Sequence, residues 1–152
     1  MDYFKQHPKN LIKVQIKENP FQRSYIIGLY LGNTKSNKTV ILTGHYDVVG
    51  VEEFGHLKDI AFNPIEFTKR VSELYLNENA KEDLQTGDYI FGRGTADMKF
   101  GLSLDIEILR HFIEIGELEE NILFLAVPGE ESNSEGMLAA LESLLQALMQ
   151  IY

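Results

Sequence analysis

Asn121-Ile122-Leu123-Phe124-Leu125-Ala126-Val127 is an unbroken apolar run, stopped by Pro128 and followed at once by Gly129-Glu130-Glu131. It reads as a core strand that delivers two adjacent carboxylates to the end of a sheet. Thr39-Val40-Ile41-Leu42-Thr43 is a second short apolar run, as expected of a central strand buried on both faces, and it leads into Gly44-His45-Tyr46-Asp47. Upstream, Ile12-Lys13-Val14-Gln15-Ile16 alternates apolar and polar residues at period two, which predicts a half-buried strand. Ser24 to Leu31 predicts another, and the polar stretch Gly32 to Lys38 predicts the turn between neighbouring strands. Helical spacing appears in about 98–115, where Leu102, Ile106, Leu109 and Ile113 share a face while Leu104, Ile108 and Phe112 add apolar groups elsewhere, so this helix should be well buried. It appears again in about 134–150, through Met137, Leu141, Leu144, Leu145 and Leu148. Strands alternating with helices predict an α/β sandwich.

The segment from about residue 50 to 87 departs from this alternation and reads as an excursion between two sheet elements. Asn63 before Pro64 predicts a helix start, with Phe67, Val71, Leu74 and Tyr75 following at helical spacing. Asn77 to Gly87 is polar and loop-like.

Composition narrows the function. The 152 residues are enough for one domain with a real core, and 44% hydrophobic with 24% charged residues is ordinary for a soluble globular chain. A formal charge of -9 argues against a nucleic-acid partner, since phosphate binding needs a basic face. It suits a metal site or a cationic substrate, and equally a plain acidic surface. No apolar run is long enough for a membrane span, and residues 1–8 lack the pattern of a secretory signal. The chain has no cysteine, which removes disulfides and thiolate metal sites and leaves a cytoplasmic location as the default expectation.

In an open α/β sheet, functional groups gather beyond the carboxyl ends of the strands. His45 and Glu130-Glu131 both fall there, and Asp97 ends the glycine turn Gly92-Arg93-Gly94-Thr95-Ala96-Asp97 that enters a helix. His45 and Asp47 are two apart, so in extended backbone a carboxylate can hold the imidazole proton that faces away from a metal. Glu130 and Glu131, being adjacent, favour a division of labour in which one ligates a metal and the other takes a proton from water. Each feature alone has a simpler reading: a solvated histidine beside an acid, an acidic pair at a helix start, a helix cap. A dinucleotide loop is a poor fit, because Asp97 stands where the fingerprint needs its third glycine.

Taken together, Gly44-His45-Tyr46-Asp47-Val48-Val49, Gly92-Arg93-Gly94-Thr95-Ala96-Asp97-Met98-Lys99 and Glu130-Glu131-Ser132-Asn133-Ser134-Glu135-Gly136-Met137 resemble the dizinc aminohydrolases. That superfamily includes acetylornithine deacetylase, succinyl-diaminopimelate desuccinylase, aminoacylases and dipeptidases. The 55–62 stretch and the Glu-Ser-Asn-Ser-Glu-Gly-Met run resemble its arginine-utilisation (RocB) branch more closely. The resemblance implies a three-layer α/β/α zinc-exopeptidase-like sandwich, incomplete within these 152 residues. It implies that His45 ligates one metal, Asp97 bridges both, Glu131 ligates the other, Glu130 is the general base and Asp47 orients His45. It also implies a cis peptide at Asp97-Met98. The cofactor would be zinc, two ions in a complete relative with cobalt or manganese as substitutes, and none or one weakly bound ion in this chain. The reaction would be hydrolysis of the amide bond of a peptide or N-acyl amino acid, with Glu130 passing the proton of the attacking water to the leaving amine.

Two departures qualify the match. Phe100 stands where relatives commonly have glycine or serine, which would crowd the turn around Lys99. The family's last two ligands, an acid and a distant histidine, and its lid and dimerisation domain are expected beyond residue 152. His111 cannot substitute, because 14 residues of helix from Asp97 span about 21 Å. His7 lacks a supporting pattern, and His56, in the excursion, is the one remaining candidate. Residues 1–152 are therefore expected to be part of a catalytic domain, inactive alone. The competing expectation is a non-catalytic remnant or interaction module that keeps the fold and self-associates through exposed apolar surface. A plain α/β binding domain with accidental motifs would require three ordered coincidences.

Overall fold

The computed structural model describes residues 11–32, 36 and 38–149. His7, most of the expected turn at 32–38 and the last residues after Met149 lie outside them. The described chain forms two compact units, one from residues up to 47 together with those from 101 onward, the other from 48–100.

The first unit is built on β4 (Asn121–Val127), whose seven residues are all buried. It lies inside a four-stranded sheet with β1 (Leu11–Gln15), β2 (Ser24–Tyr30) and β3 (Thr39–His45), in the order β1-β2-β4-β3. The β1–β2 and β2–β4 pairs are antiparallel, whereas β3 runs parallel to β4 with Leu42 opposite Phe124 and His45 opposite Val127. The alternation of β4 feeds two cores. Leu123, Leu125 and Val127 pack with Tyr25, Ile27 and Ala140 of helix α4 (Glu135–Met149), while Ile122, Phe124 and Ala126 pack with Tyr30, Leu102 and Leu109, the last two from helix α3 (Gly101–Ile115). The sheet is thus covered on both faces, giving the α/β/α layering. Each fully buried large side chain contributes about 1.5–3 kcal/mol, so β4 is the energetic centre of this unit.

Two expectations need correction here. β3 is not central: among the described residues it is an edge strand, and Val40 and Ile41 are 51% and 44% exposed. An apolar run shows that a strand can be buried on both faces, but neighbours decide whether it is. Helix α3 buries the predicted Leu102–Leu109 face yet leaves Leu104 and Ile108 exposed, so it is one-sided. In α4, Met137, Leu144 and Leu148 pack on the sheet, while Leu141 and Leu145 are turned outward with Leu138.

The second unit has its own small core of Leu57, Ala61, Phe67 and Val71. A 3-10 segment, Glu52–Ile60, precedes helix α1 (Pro64–Arg70), where Pro64 is at the first turn and Asn63 accepts from the Glu66 amide as predicted. The helix gives way to a 3-10 turn at Val71–Glu73, and Tyr75 is left 95% exposed rather than continuing the apolar face. Residues 77–87 are a helix, α2 (Glu78–Thr86), not a loop. Asn77 caps it by accepting from the Ala80 amide at 2.8 Å, and Gly87 ends it at φ 75°. With no buried residue, α2 lacks the periodicity that announces a helix, and only its caps carry the signal. Among the described residues no helix is long and apolar enough to cross a membrane.

Candidate metal and proton-transfer site

His45 is the last residue of β3, and parallel pairing brings the C-terminal ends of β3 and β4 side by side. The pairing continues one step further, as the Tyr46 amide donates to the Val127 carbonyl at 3.0 Å. Pro128 then stops β4, and the chain turns through Gly129 before entering α4. The two sequence motifs of this unit therefore meet at one end of the sheet because strand register puts them there.

His45 is 5% exposed, which rules out the reading of a merely solvated strand-end histidine. Its Nδ1 lies 3.0 Å from the main-chain carbonyl oxygen of Asp47. A carbonyl only accepts, so this bond places the proton on Nδ1 and makes Nε2 the basic nitrogen of the ring. A buried imidazole in that tautomer, held from behind by an oxygen, is the form in which histidine ligates a metal. A ligand atom of Glu131 lies within 4.8 Å of one of His45. Glu130 approaches too, with Oε2 at 3.8 Å from Nε2, although its side chain is 57% exposed. One imidazole nitrogen and one carboxylate oxygen facing each other fit a divalent cation of the zinc class.

Asp47 is placed differently from the sequence argument. Its carboxylate is 3.6 Å from His45 Nδ1, farther than its own carbonyl. The carboxylate oxygens instead accept from the backbone amides of Glu130 and Glu131, each at 3.3 Å. These bonds are at the long end of the normal range, but there are two of them and the acceptor is a carboxylate. Asp47 thus ties the β3 end to the Glu130-Glu131 turn, and holds the imidazole through main chain.

Asp97 belongs to the 48–100 unit. It sits in the irregular turn Thr95–Phe100, where the Lys99 amide closes onto the Gly94 carbonyl at 3.0 Å. The Asp97-Met98 peptide is cis, as the resemblance implied. Phe100, which was expected to crowd this turn, is 65% exposed. In the same unit Arg93 stacks over Phe54 with its guanidinium 4.9 Å from the ring centroid and pairs with Glu53, while its amide donates to Ala61. His56 is engaged elsewhere: its Nε2 is 2.8 Å from Glu73, whose carboxylate Arg70 first, then His56, holds down at about 2.

Sequence reasoning missed the far side of the Glu130-Glu131 turn. Glu135 Oε1 accepts from the Asn19 side-chain amide at 2.9 Å and from the Arg23 guanidinium at 2.8 Å, across more than 110 residues of chain. No local pattern links residues so distant in sequence.

The family model described as Peptidase family M20/M25/M40 matches residues 41–151. Protein RocB of Bacillus subtilis (strain 168) is 36% identical over 143 residues, covering 93% of this chain and 25% of RocB. YqjN of the same organism is 36% identical over 144 residues, again covering 93% of this chain and 25% of its own length. The chain spans about a quarter of the length of these curated relatives. With residues 41–151 matched, and with the three motifs that carry the resemblance to the dizinc aminohydrolases all falling inside them, the chain belongs to peptidase family M20/M25/M40.

Proposed function

We propose that the chain carries the proton-transfer half of an amide hydrolase acting on peptides or N-acyl amino acids, with arginine utilisation as the setting to which the RocB-like branch points. The observation that carries this reading is the buried His45, its Nδ1 on the Asp47 carbonyl, with Glu131 and Glu130 beside it. His45 and Glu131 would hold a zinc ion. The bound metal would supply Lewis-acid activation of the attacking water and of the scissile carbonyl. Glu130, whose exposed carboxylate reaches outward beside His45, takes the proton from the attacking water and gives it to the departing amine. Asp47 keeps both glutamates in place by holding their amides, and its carbonyl fixes the His45 tautomer. This pair offers a place for one ion, so the 152-residue chain is expected to bind one at most.

Metal titration tests this directly. Zinc or cobalt binding to the 152-residue chain is expected at no more than one ion per chain, and His45→Ala is expected to weaken it at least tenfold, as losses around a zinc histidine commonly do. Equal uptake by both proteins would mean that the site is not at His45.

A second reading, a self-associating module, is favoured by β3. Thr39-Val40-Ile41-Leu42-Thr43 has no charge, proline or bulge to blunt an open edge, and Val40 and Ile41 are exposed. In a chain of net charge -9 this neutral strand can meet its own copy without like-charge contact, so the occupant would be β3 of a second copy. Sedimentation velocity should then show a dimer that Ile41→Lys dissolves. A monomer at every concentration removes this reading.

A further inference from the structure

We propose that Asn19, Arg23 and Glu135 form a brace that positions Glu130 and Glu131, making Arg23 and Glu135 positioning residues for the site. The inference rests on the reading of Glu131 as ligand and Glu130 as base. The Pro128–Glu135 turn is gripped from two sides. On one, Asp47 accepts the Glu130 and Glu131 amides. On the other, Glu135 is bound by Asn19 and Arg23 from the turn that joins β1 to β2.

The turn between these grips is short and internally bonded. The Ser132 and Ser134 amides both donate to the Gly129 carbonyl, at 3.3 and 2.7 Å. The Glu135 stem lies against Gly129, so close that a Cβ built there would sit 3.0 Å from the Glu135 Cγ. Any movement of Glu135 is therefore passed to Gly129 and on to Glu130.

Backbone conformation supports the same conclusion. Among the described residues, the non-glycine positions with left-handed φ are Glu18 at 57°, Gln22 at 52° and Ser134 at 56°. Each immediately precedes a member of the brace: Asn19, Arg23 and Glu135 respectively. Left-handed backbone is unfavourable for such residues and persists only where the surrounding contacts over-determine it. Asn19 also accepts the Phe21 and Arg23 amides through its own side-chain oxygen, which fixes the turn that presents Arg23. The Asn19 amide first, and then Arg23, lower the Glu135 pKa below its ordinary value, so the carboxylate is ionised at neutral pH.

Both long-range bonds end on the same oxygen, Oε1 of Glu135. This gives a sharp test, because glutamine keeps a carbonyl oxygen at that place and alanine does not. The experiment uses the whole 152-residue chain and compares Glu135→Gln, Glu135→Ala and Arg23→Met. Two readouts are taken: backbone order parameters from NMR relaxation, and cobalt affinity by calorimetry. Order parameters at Glu130 and Glu131 should stay near about 0.85 in the wild type and Glu135→Gln, and fall toward about 0.6 in Glu135→Ala. Cobalt affinity should fall about tenfold in Glu135→Ala, stay within about twofold in Glu135→Gln, and fall by an intermediate factor in Arg23→Met. Order parameters in β2 and β4 should not change, which separates positioning from general loss of structure. If glutamine is as damaging as alanine, Glu135 acts by charge at the start of α4 and the brace is wrong. If alanine changes neither readout, it is also wrong. Should Glu135→Ala not fold, Arg23→Met and Glu135→Gln decide by the same criteria. Absence of cobalt binding in every protein would overturn the metal reading alone, and the order parameters would still decide the brace.

Discussion

Glu130→Gln is expected to lower kcat for amide hydrolysis about 10²–10⁴-fold, the span typical of a lost general base, in a polypeptide that carries this chain with a complete ligand set. Metal content is expected to stay the same. The argument is geometric. The Glu130 side chain is 57% exposed and lies beside His45 Nε2 at 3.8 Å, in a position to meet a water and a substrate rather than to be enclosed as a ligand. Its backbone amide is anchored on Asp47, so glutamine can occupy the same place with the same length and shape. Glutamine cannot accept a proton at neutral pH, and that is the only property removed. Glu131→Gln makes the contrast, because its amide is held in the same way while its carboxylate is assigned to the metal. That change should weaken metal binding at least tenfold. Metal analysis of both variants separates the roles even in the 152-residue chain, and single-turnover kinetics completes the test in the longer polypeptide. Identical metal loss in both variants would show that the two glutamates share one job.

The place of these neighbours at the end of a core strand was legible from the apolar run that precedes them. So were β2, β4 and the buried face of α3, because apolar runs between turn signals mark strands and a 3.6-residue period marks a helix face. β3 was misplaced for the opposite reason: Thr39 to Thr43 shows that the strand tolerates burial, while its rank in the sheet depends on partners elsewhere in the chain. Helix α2 escaped because none of its residues is fully buried and only Leu84 packs on the core, so Asn77 and Gly87 were its clearest marks. Asp47 was recognised as a partner of His45, but its carboxylate turned out to serve the Glu130 and Glu131 amides. Two residues apart in sequence fixes which side a group points to, not which of several nearby donors claims it. The Arg23–Glu135 contact had no local signature at all.

Gly136→Ala is expected to destabilise the first unit by about 3 kcal/mol, the upper end for overpacking a filled site, which corresponds to about 6–12 °C in Tm for a chain of this length. In the sequence Gly136 is only one letter of a motif. In the structure a Cβ at that position would lie 2.1 Å from the Pro128 carbonyl oxygen, 2.3 Å from its Cδ and 2.8 Å from its nitrogen. Those atoms belong to backbone and a closed ring, so none can swing aside as the tip of a long side chain would. The same approach lets the Gly136 amide donate to the Pro128 carbonyl at 3.1 Å, which ties the first turn of α4 to the end of β4. Alanine must push these elements apart, and the residues between them are Glu130 and Glu131. Stability and metal affinity should therefore fall together in this variant. Leu138→Ala is the control: it lies on the same helix, 70% exposed, and should change stability by less than about 0.5 kcal/mol. Urea denaturation followed by circular dichroism measures both variants. A Gly136→Ala protein within 1 kcal/mol of wild type would mean that the β4–α4 junction yields easily, and a junction that yields could not hold a base and a ligand in fixed places.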